Sequence, residues 1–250
     1  MTSNNRLEEL CRMQRRARTG FRANVLLIAA ATLAAFVNKP LAALTIAANL
    51  VFYILYTGKL TKKYTSAALA EDLKNTVGKQ LRTFDVSEEG GNAVTEETVR
   101  ASGLLSEENG FSILDGQRSM LFRWEVKGEY RNLPAAAADA VIPAKDLVSG
   151  KTLYLSGMWL HMDLPEAGSD EELRKRKEHC AALAASLKER SGDEVLLGAG
   201  NTSFDLFTPG HVMAWNIPTG RLPDEGLLSY DPVPALSEYL KAGAGCAEAG

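Results

Sequence analysis

The chain has 250 residues, of which 46% are hydrophobic and 24% are charged, and its net charge is −3. This composition is ordinary for a folded globular protein and excludes wholesale disorder. Seven Lys/Arg and two Glu give residues 1–58 a charge of +5, which leaves −8 for residues 59–250. Because the folded domain of a nucleic-acid binder is its basic part, the acidic body excludes a general nucleic-acid partner.

The most apolar part of the chain is residues 23–58, which only Lys39 interrupts. Its two charge-free stretches have 16 and 19 residues, and about 20 helical residues cross the core of a bilayer. Asn38-Lys39-Pro40 is a turn signal, and small residues that permit close helix contact in lipid recur on both stretches: Ala31, Ala35, Ala43 and Ala47. We therefore predict a transmembrane helical hairpin in the lipid bilayer. A signal peptide and a buried hairpin of a soluble protein are the alternatives.

Basic residues flank this hairpin on one side, in a basic amphipathic segment at residues 1–22 and again after residue 58. Because positive residues stay on the cytoplasmic side of a membrane, both termini and the soluble domain are predicted to be cytoplasmic, at a cell membrane. The same side chains are predicted to contact anionic headgroups: Arg12, Arg15, Arg16, Arg18, Arg22, Lys59, Lys62 and Lys63.

A juxtamembrane helix and linker are predicted at residues 59–86. Four apolar residues recur there at every fourth position, which is typical of a helix: Leu69, Leu73, Val77 and Leu81. Thr95 then caps a short helix that ends at Gly103.

The next elements are predicted strands. Phe111 to Leu114 and Met120 to Val126 are interpreted as a hairpin around Asp115-Gly116. In the second strand Glu125 falls on the solvated face. Pro134 to Ala138 is interpreted as a connector, and Lys151 to Leu164 as a further strand.

Ser169-Asp170-Glu171-Glu172 is a capping box that opens a helix ending at Ser191. Three short strands are predicted after it, at Glu194–Leu197, Ser203–Phe207 and Val212–Ile217. The soluble part is therefore predicted to be an α+β domain with a mainly antiparallel sheet and a few helices, at residues 87–222. Residues 223–250 are predicted to be an irregular C-terminal tail.

The layout leads from a basic N-terminus and an apolar hairpin to two short motifs, Val94-Thr95-Glu96-Glu97 and Ala101-Ser102-Gly103-Leu104. A Gly-containing strand, Ser156-Gly157-Met158-Trp159-Leu160, follows. Over residues 5–165 the chain resembles an uncharacterised family of bacterial membrane-hairpin proteins with a cytoplasmic α+β domain of unknown function, from which Leu133 to Ala140 departs. The resemblance implies this architecture and a bacterial setting, and it implies no activity.

His161 and Asp163 lie two residues apart on a predicted strand, so both face the same side, beside Trp159. This geometry suits proton transfer, and it equally suits a solvated or hydrogen-bonded strand face. The second interpretation is favoured because no nucleophile or third partner can be identified. No catalytic residue is therefore assigned.

The cysteines indicate no site. His179 and Cys180 are adjacent on a helix and point in different directions, so core packing is the interpretation for Cys180. Neither a disulfide framework nor a zinc site is indicated, because the three cysteines are far apart with no Cys-x-x-Cys pair: Cys11, Cys180 and Cys246. Free thiols fit a reducing compartment.

Two further patterns are interpreted as structural. Gly198-Ala199-Gly200-Asn201 lacks the third glycine of a dinucleotide loop and precedes a strand, so it is a turn. The basic run Arg174 to Lys177 lies among Glu171, Glu172 and Glu178 at helical spacing and is a solvated face. No cofactor and no metal ion are predicted.

Two functions fit these observations. The first is a non-enzymatic, cytoplasmic-facing adaptor or binding module for an unknown protein partner. The alternative is a membrane-tethered, hydrolase-like enzyme that acts at the cytoplasmic membrane surface through His161 and Asp163. A pocket where His161 or His211 meets carboxylates favours the enzyme, whereas an exposed apolar patch or open sheet edge favours the adaptor.

Overall fold

In a computed structural model of the chain, residues 3–114, 119–191, 195–213 and 236–248 are described. The chain divides into two compact units between Asp72 and Leu73. We call them the helical unit, described at residues 3–72, and the sheet unit, described from residue 73 onward.

The helical unit is built from α1 (Ser3–Val37), α2 (Lys39–Phe52), a π-helical turn (Tyr53–Thr57) and the first part of α3 (Gly58–Thr76). Asn38 separates α1 from α2 and caps α2, because its Oδ1 accepts the Leu41 N–H at 3.2 Å. The turn at Asn38 is therefore confirmed. The predicted segments 1–22 and 23–37 are joined in one uninterrupted helix, α1.

Two stretches of helix, Glu8–Val37 and Lys39–Lys79, are long and apolar enough to cross a membrane, with mean hydropathies of 1.8 and 1.7. Only 17% and 11% of their most apolar windows are buried. Phe36 and Val37, for example, are more than four-fifths exposed. Core helices of soluble proteins bury their apolar side chains instead.

The buried residues of α1 form one seam, repeating at intervals of three, four or seven residues: Leu10, Gln14, Ala17, Gly20, Asn24 and Ala31. Leu10 packs against Tyr64 and Ala68 of α3. The Nδ2 of Asn24 donates a hydrogen bond to Thr57 Oγ1 at 2.8 Å. Ala31 is buried as expected, but Ala35, Ala43 and Ala47 are exposed and Ala42 is the buried alanine of α2.

The sheet unit contains strands and helices in this order: β1 (Arg82–Ser87), α4 (Glu96–Ser102), β2 (Phe111–Ile113), β3 (Leu121–Tyr130), β4 (Leu133–Asp146), β5 (Thr152–Asp163), α5 (Asp170–Ser191), β6 (Leu196–Ala199), β7 (Ser203–Pro209) and α6 (Leu236–Glu248). Among the described residues, seven strands form one antiparallel sheet in the order β1-β3-β4-β5-β7-β6, and β2 also pairs with β4. The predicted α+β class with an antiparallel sheet is confirmed.

Three predicted elements are wrong in this part of the chain. β1 lies at the end of the segment predicted as helix and linker. β2 and β3 do not pair with each other, because each pairs with β4, and Asp115-Gly116 lies outside the described residues. Pro134 to Ala138, predicted as a connector, belongs to the 14-residue strand β4 at the centre of the sheet. Alanine is disfavoured in strands, but burial of this segment between the two faces of the sheet outweighs that tendency.

The predicted caps are confirmed. Thr95 Oγ1 accepts the Thr98 N–H at 3.2 Å and begins α4. Ser169 Oγ accepts the Glu172 N–H at 3.2 Å, while Glu172 reaches back to the N–H of Gly168. Both caps satisfy N–H groups that have no partner inside the helix.

Each face of the sheet carries helices. On one face of the sheet, Trp159 and Phe207 belong to the same buried cluster as Val99 of α4. On the other face Gly243 of α6 lies close to Phe204.

α6 corrects the predicted irregular tail at residues 223–250. It is a 13-residue helix in which seven residues are buried, while residues 223–235 lie outside the described part. Of the predicted strand Val212–Ile217, Val212 and Met213 are not in a strand, and the rest is likewise outside the described part.

Candidate functional site

Two neighbouring strands bring an aromatic, a histidine and two carboxylates to one face of the sheet. Trp159, His161 and Asp163 alternate along β5 and therefore share that face. Asp205 of β7 lies directly opposite His161 in the strand register. This pairing supplies the third partner that was missing from the sequence, 44 residues farther along the chain.

Hydrogen bonds connect these four side chains from the core to the surface. Asp205 Oδ1 accepts the Trp159 Nε1–H at 3.0 Å and lies 2.8 Å from His161 Nδ1. His161 Nε2 lies 3.2 Å from Asp163 Oδ1. The side chains of Asp205, His161 and Asp163 are 3%, 17% and 62% exposed. The buried carboxylate thus orients the ring, while the opposite ring nitrogen faces the surface.

Both ring nitrogens of His161 can donate to carboxylates at the same time only when the imidazole is protonated. Burial of the ring lowers the pKa of His161, but hydrogen bonding and charge from Asp205, together with the charge and hydrogen bond of Asp163, outweigh it. The pKa of His161 is therefore raised above its ordinary value. The two carboxylates therefore favour the protonated form of the His161 ring.

His161 and Asp163 border a cleft of about 320 Å³ at this end of the sheet, which is the size of a small-molecule site. Polar side chains of β1 and β3 also line it, among them Thr83, Lys127 and Glu129. Among the described residues that line the cleft, Thr83 has a hydroxyl group that could act as a nucleophile, and none is Ser or Cys.

The backbone of the cleft is irregular where β1 meets β3. The pairing shifts between Arg82 and Asp85, and Thr83 has a φ of +50°. A β-branched residue at positive φ is an outlier that the surrounding structure must stabilise. Opposite it, a Cβ at Gly128 would lie only 2.6 Å from the Arg82 carbonyl oxygen. Glycine is therefore required where the two strands approach at the cleft.

The buried carboxylate of Glu125 positions the backbone at another side of the cleft. Glu125 Oε2 accepts the N–H groups of Ala93 and Val94 at 3.1 and 2.8 Å, and Ala93 lines the cleft. The prediction that Glu125 faces solvent is wrong, because Glu125 is buried. The register of β3 shifts between Arg123 and Val126, so the simple alternation of faces fails there.

The other sequence candidates lie away from this cleft. Of the predicted turn, Gly200 and Asn201 connect β6 to β7, closed by the Gly200 N–H to Ser203 O at 2.7 Å, whereas Gly198 and Ala199 belong to β6. His211 lies after β7 and does not line the cleft.

The basic run on α5 is only in part the solvated face that was predicted. Arg174 is exposed, but Arg176 is buried and donates to the carbonyl groups of Pro165 and Asn201. Arg176 therefore ties α5 to two loops of the sheet unit.

No cluster of three metal-binding side chains occurs among the described residues. The arrangement at His161 can do acid–base chemistry: a protonated imidazole can donate a proton, and an exposed carboxylate can accept one.

Comparison of the chain with protein-family models, with curated proteins and with solved structures gives no match. The resemblance of residues 5–165 to a bacterial membrane-hairpin family remains a prediction.

Proposed function

We propose that this protein is a membrane-tethered enzyme that binds a small polar molecule in the His161 cleft and cleaves it with water. The observation that carries the proposal is the Asp205–His161–Asp163 chain, which runs from a buried carboxylate to the wall of a cleft. This is the arrangement that favours the enzyme over the adaptor.

The raised pKa of His161 assigns its role. The raised pKa favours the protonated imidazole, which is a general acid, so in this proposal His161 Nε2–H donates its proton to the leaving group. Asp163 is exposed and serves as the base that takes a proton from the attacking water. Asp205 keeps the ring in place and stabilises its charge, as the buried carboxylate does in histidine-based hydrolases.

The strained cleft supports the same proposal. Positive φ at a β-branched residue such as Thr83 costs stability, and such positions cluster at functional sites. The cost is understandable if the backbone of β1 shapes a binding surface.

We further propose that residues 23–58 cross a bilayer as a hairpin, with both ends and the sheet unit in the cytoplasm. The apolar length, the exposed apolar side chains and the basic flanks support this placement. The enzyme would then act at the membrane surface, and the eight flanking Arg and Lys residues would contact anionic headgroups.

Turnover of an unknown substrate can be tested without naming it. The full chain, purified in detergent, is incubated with a bacterial extract of lipids and metabolites, and mass spectrometry compares compounds lost and formed. We expect His161→Gln and Asp163→Asn each to lower turnover about 10²–10⁴-fold. The control is His211→Gln, which changes a histidine outside the cleft. Equal turnover by wild type and His161→Gln would refute the proposal.

An adaptor role is the second candidate, and a different surface supports it. Leu147 and Val148 in the β4–β5 turn and Leu153 at the start of β5 are exposed, Val148 by 92%. This apolar tip lies about 30 Å along β5 from His161. Exposed apolar residues grouped in this way are typical of protein contacts.

A substitution in the apolar tip distinguishes the adaptor function from the enzyme function. Val148→Asp should release a protein partner that co-purifies from detergent-solubilised membranes, while leaving turnover in the cleft unchanged. A partner retained by Val148→Asp would exclude the tip as its binding surface.

A further inference from the structure

Two cysteines that are far apart in the sequence meet in the interior of the sheet unit. Cys180 of α5 and Cys246 of α6 are both free thiols, 66 residues apart, and their Sγ atoms are 2.8 Å from each other. Their exposed fractions are 1% and 0%. Since a disulfide bond is about 2.05 Å long, bond formation requires the sulfur atoms to approach by less than about 1 Å.

The packing of α6 holds the two thiols in register. A Cβ at Gly243 would lie 2.8 Å from the ring of Phe204, and a Cβ at Gly245 would lie 3.1 Å from His179 Nε2. Both glycines therefore permit α6 to approach the sheet and α5 more closely than any other residue would. Cys246 faces α5, because its Sγ lies 2.8 Å from Cys180 Sγ.

The two thiols differ in reactivity. The hydrogen bond with Cys180 lowers the pKa of the Cys246 thiol, burial opposes this, and the charge of the buried Arg176 lowers it further, so the pKa lies below its ordinary value. The pKa of the Cys180 thiol is raised, by that hydrogen bond and by burial. Because the thiolate is the nucleophile in disulfide exchange and the charge of Arg176 favours a thiolate at Cys246, we assign Cys246 as the attacking residue.

We propose that Cys180 and Cys246 are a dithiol–disulfide pair and a modification site. A small disulfide oxidises the two thiols, and the disulfide bond that forms links α6 covalently to α5. Cys246 Sγ attacks one sulfur of the small disulfide, forms a mixed disulfide and expels one thiolate. Cys180 then loses its proton to the solvent and attacks Cys246 Sγ, which expels the second thiolate. The protein loses two electrons and two protons, and the small disulfide is reduced to two thiols.

Cys11 provides an internal reference. It is partly exposed, belongs to the helical unit and is not one of the pair. Because Cys180 and Cys246 are buried, oxidation requires α6 to open locally, so these thiols should react more slowly than Cys11.

Thiol counting on the full chain tests the proposal. The protein in detergent is incubated with oxidised glutathione, quenched in acid, denatured and treated with N-ethylmaleimide before its intact mass is measured. The reduced chain, with three cysteines, takes up three maleimide groups. In a Cys11→Ser chain we expect uptake to fall from two groups to none, with a cross-linked peptide that joins Cys180 to Cys246. Two retained thiols, or glutathione adducts without the cross-link, would overturn the proposal.

A melting experiment tests whether the bond fastens α6. We expect the oxidised Cys11→Ser chain to melt about 5–10 °C above the same chain after reduction, because the bond closes a loop of more than 60 residues. The Cys11→Ser/Cys246→Ala chain should show no such difference. A cross-linked protein that melts at the temperature of the reduced one would contradict the fastening.

Discussion

Asp205→Asn isolates the charge of the buried carboxylate, because asparagine keeps the shape of the side chain and one acceptor oxygen. In the wild type, Asp205 Oδ1 accepts from Trp159 and from His161. A hydrogen bond to a charged group contributes about 1.5–3 kcal/mol, whereas one between neutral groups contributes about 0.5–1.5 kcal/mol. Two weakened bonds should therefore cost about 2 kcal/mol at pH 6, where the imidazole is protonated.

The variant should also change the dependence of stability on pH. A raised pKa in the folded protein means that His161 stabilises the wild type fully below the ordinary histidine pKa of about 6.5. That contribution is lost as the pH rises through the folded value. In Asp205→Asn, burial still lowers the pKa of His161, and only the exposed Asp163 opposes it. The wild type should thus lose stability above pH 6.5, and the variant should lose less.

Thermal melting of the full chain in detergent, followed by near-ultraviolet circular dichroism from pH 5.5 to 9, measures both effects. At about 2–4 °C per kcal/mol for a domain of this size, the melting temperature of the variant should fall by about 4–8 °C at pH 6. The difference from wild type should narrow at pH 9. Asp163→Asn is the matched control, since an exposed ion pair contributes at most about 1 kcal/mol. Identical pH profiles for wild type and Asp205→Asn would refute the assignment of Asp205 as the group that holds the charge on His161.

Trp159→Ala should lower the free energy of unfolding by about 3–5 kcal/mol, because the Trp159 ring is fully buried and packs on Phe207 with ring centres 5.5 Å apart. Chemical denaturation measures this, and an unchanged midpoint would contradict the packing. The full chain should stay with membranes through alkaline carbonate washing, whereas a chain that begins at Lys62 should be soluble, and a reporter fused after Gly250 should be cytoplasmic. Release of the full chain by the wash would place residues 23–58 inside a soluble protein, and an external reporter signal would reverse the predicted orientation.

Local signals in the sequence predicted the elements that depend on neighbouring residues. The Thr95 and Ser169 caps, the turn at Asn38 and the extended run of β5 all follow from patterns within a few positions. β4 was missed because its alanine-rich segment carries no strand preference of its own. Its long strand exists because β3 and β5 pair with it on either side.

The candidate site lay beyond such local signals. His161 and Asp163 could be placed on one face by counting, but Asp205 joins them through the pairing of β5 with β7. The meeting of Cys180 with Cys246 likewise depends on how α6 packs. Contacts between residues so far apart produce no periodic pattern in a single sequence. The sequence therefore contains each of these residues but no signal that they meet.

The uninterrupted helix α1 has a mechanical consequence. In the proposed placement, the apolar half of α1 lies in lipid, and residues 3–22 continue from it for about 30 Å as the same rigid helix. Leu10 and Ala31 belong to one repeat, so neither half can rotate without the other. If a thinner bilayer tilts the hairpin by about 10°, the far end of α1 swings by about 5 Å. In that proposed placement, the helix would act as a lever that converts membrane thickness into displacement on the cytoplasmic side.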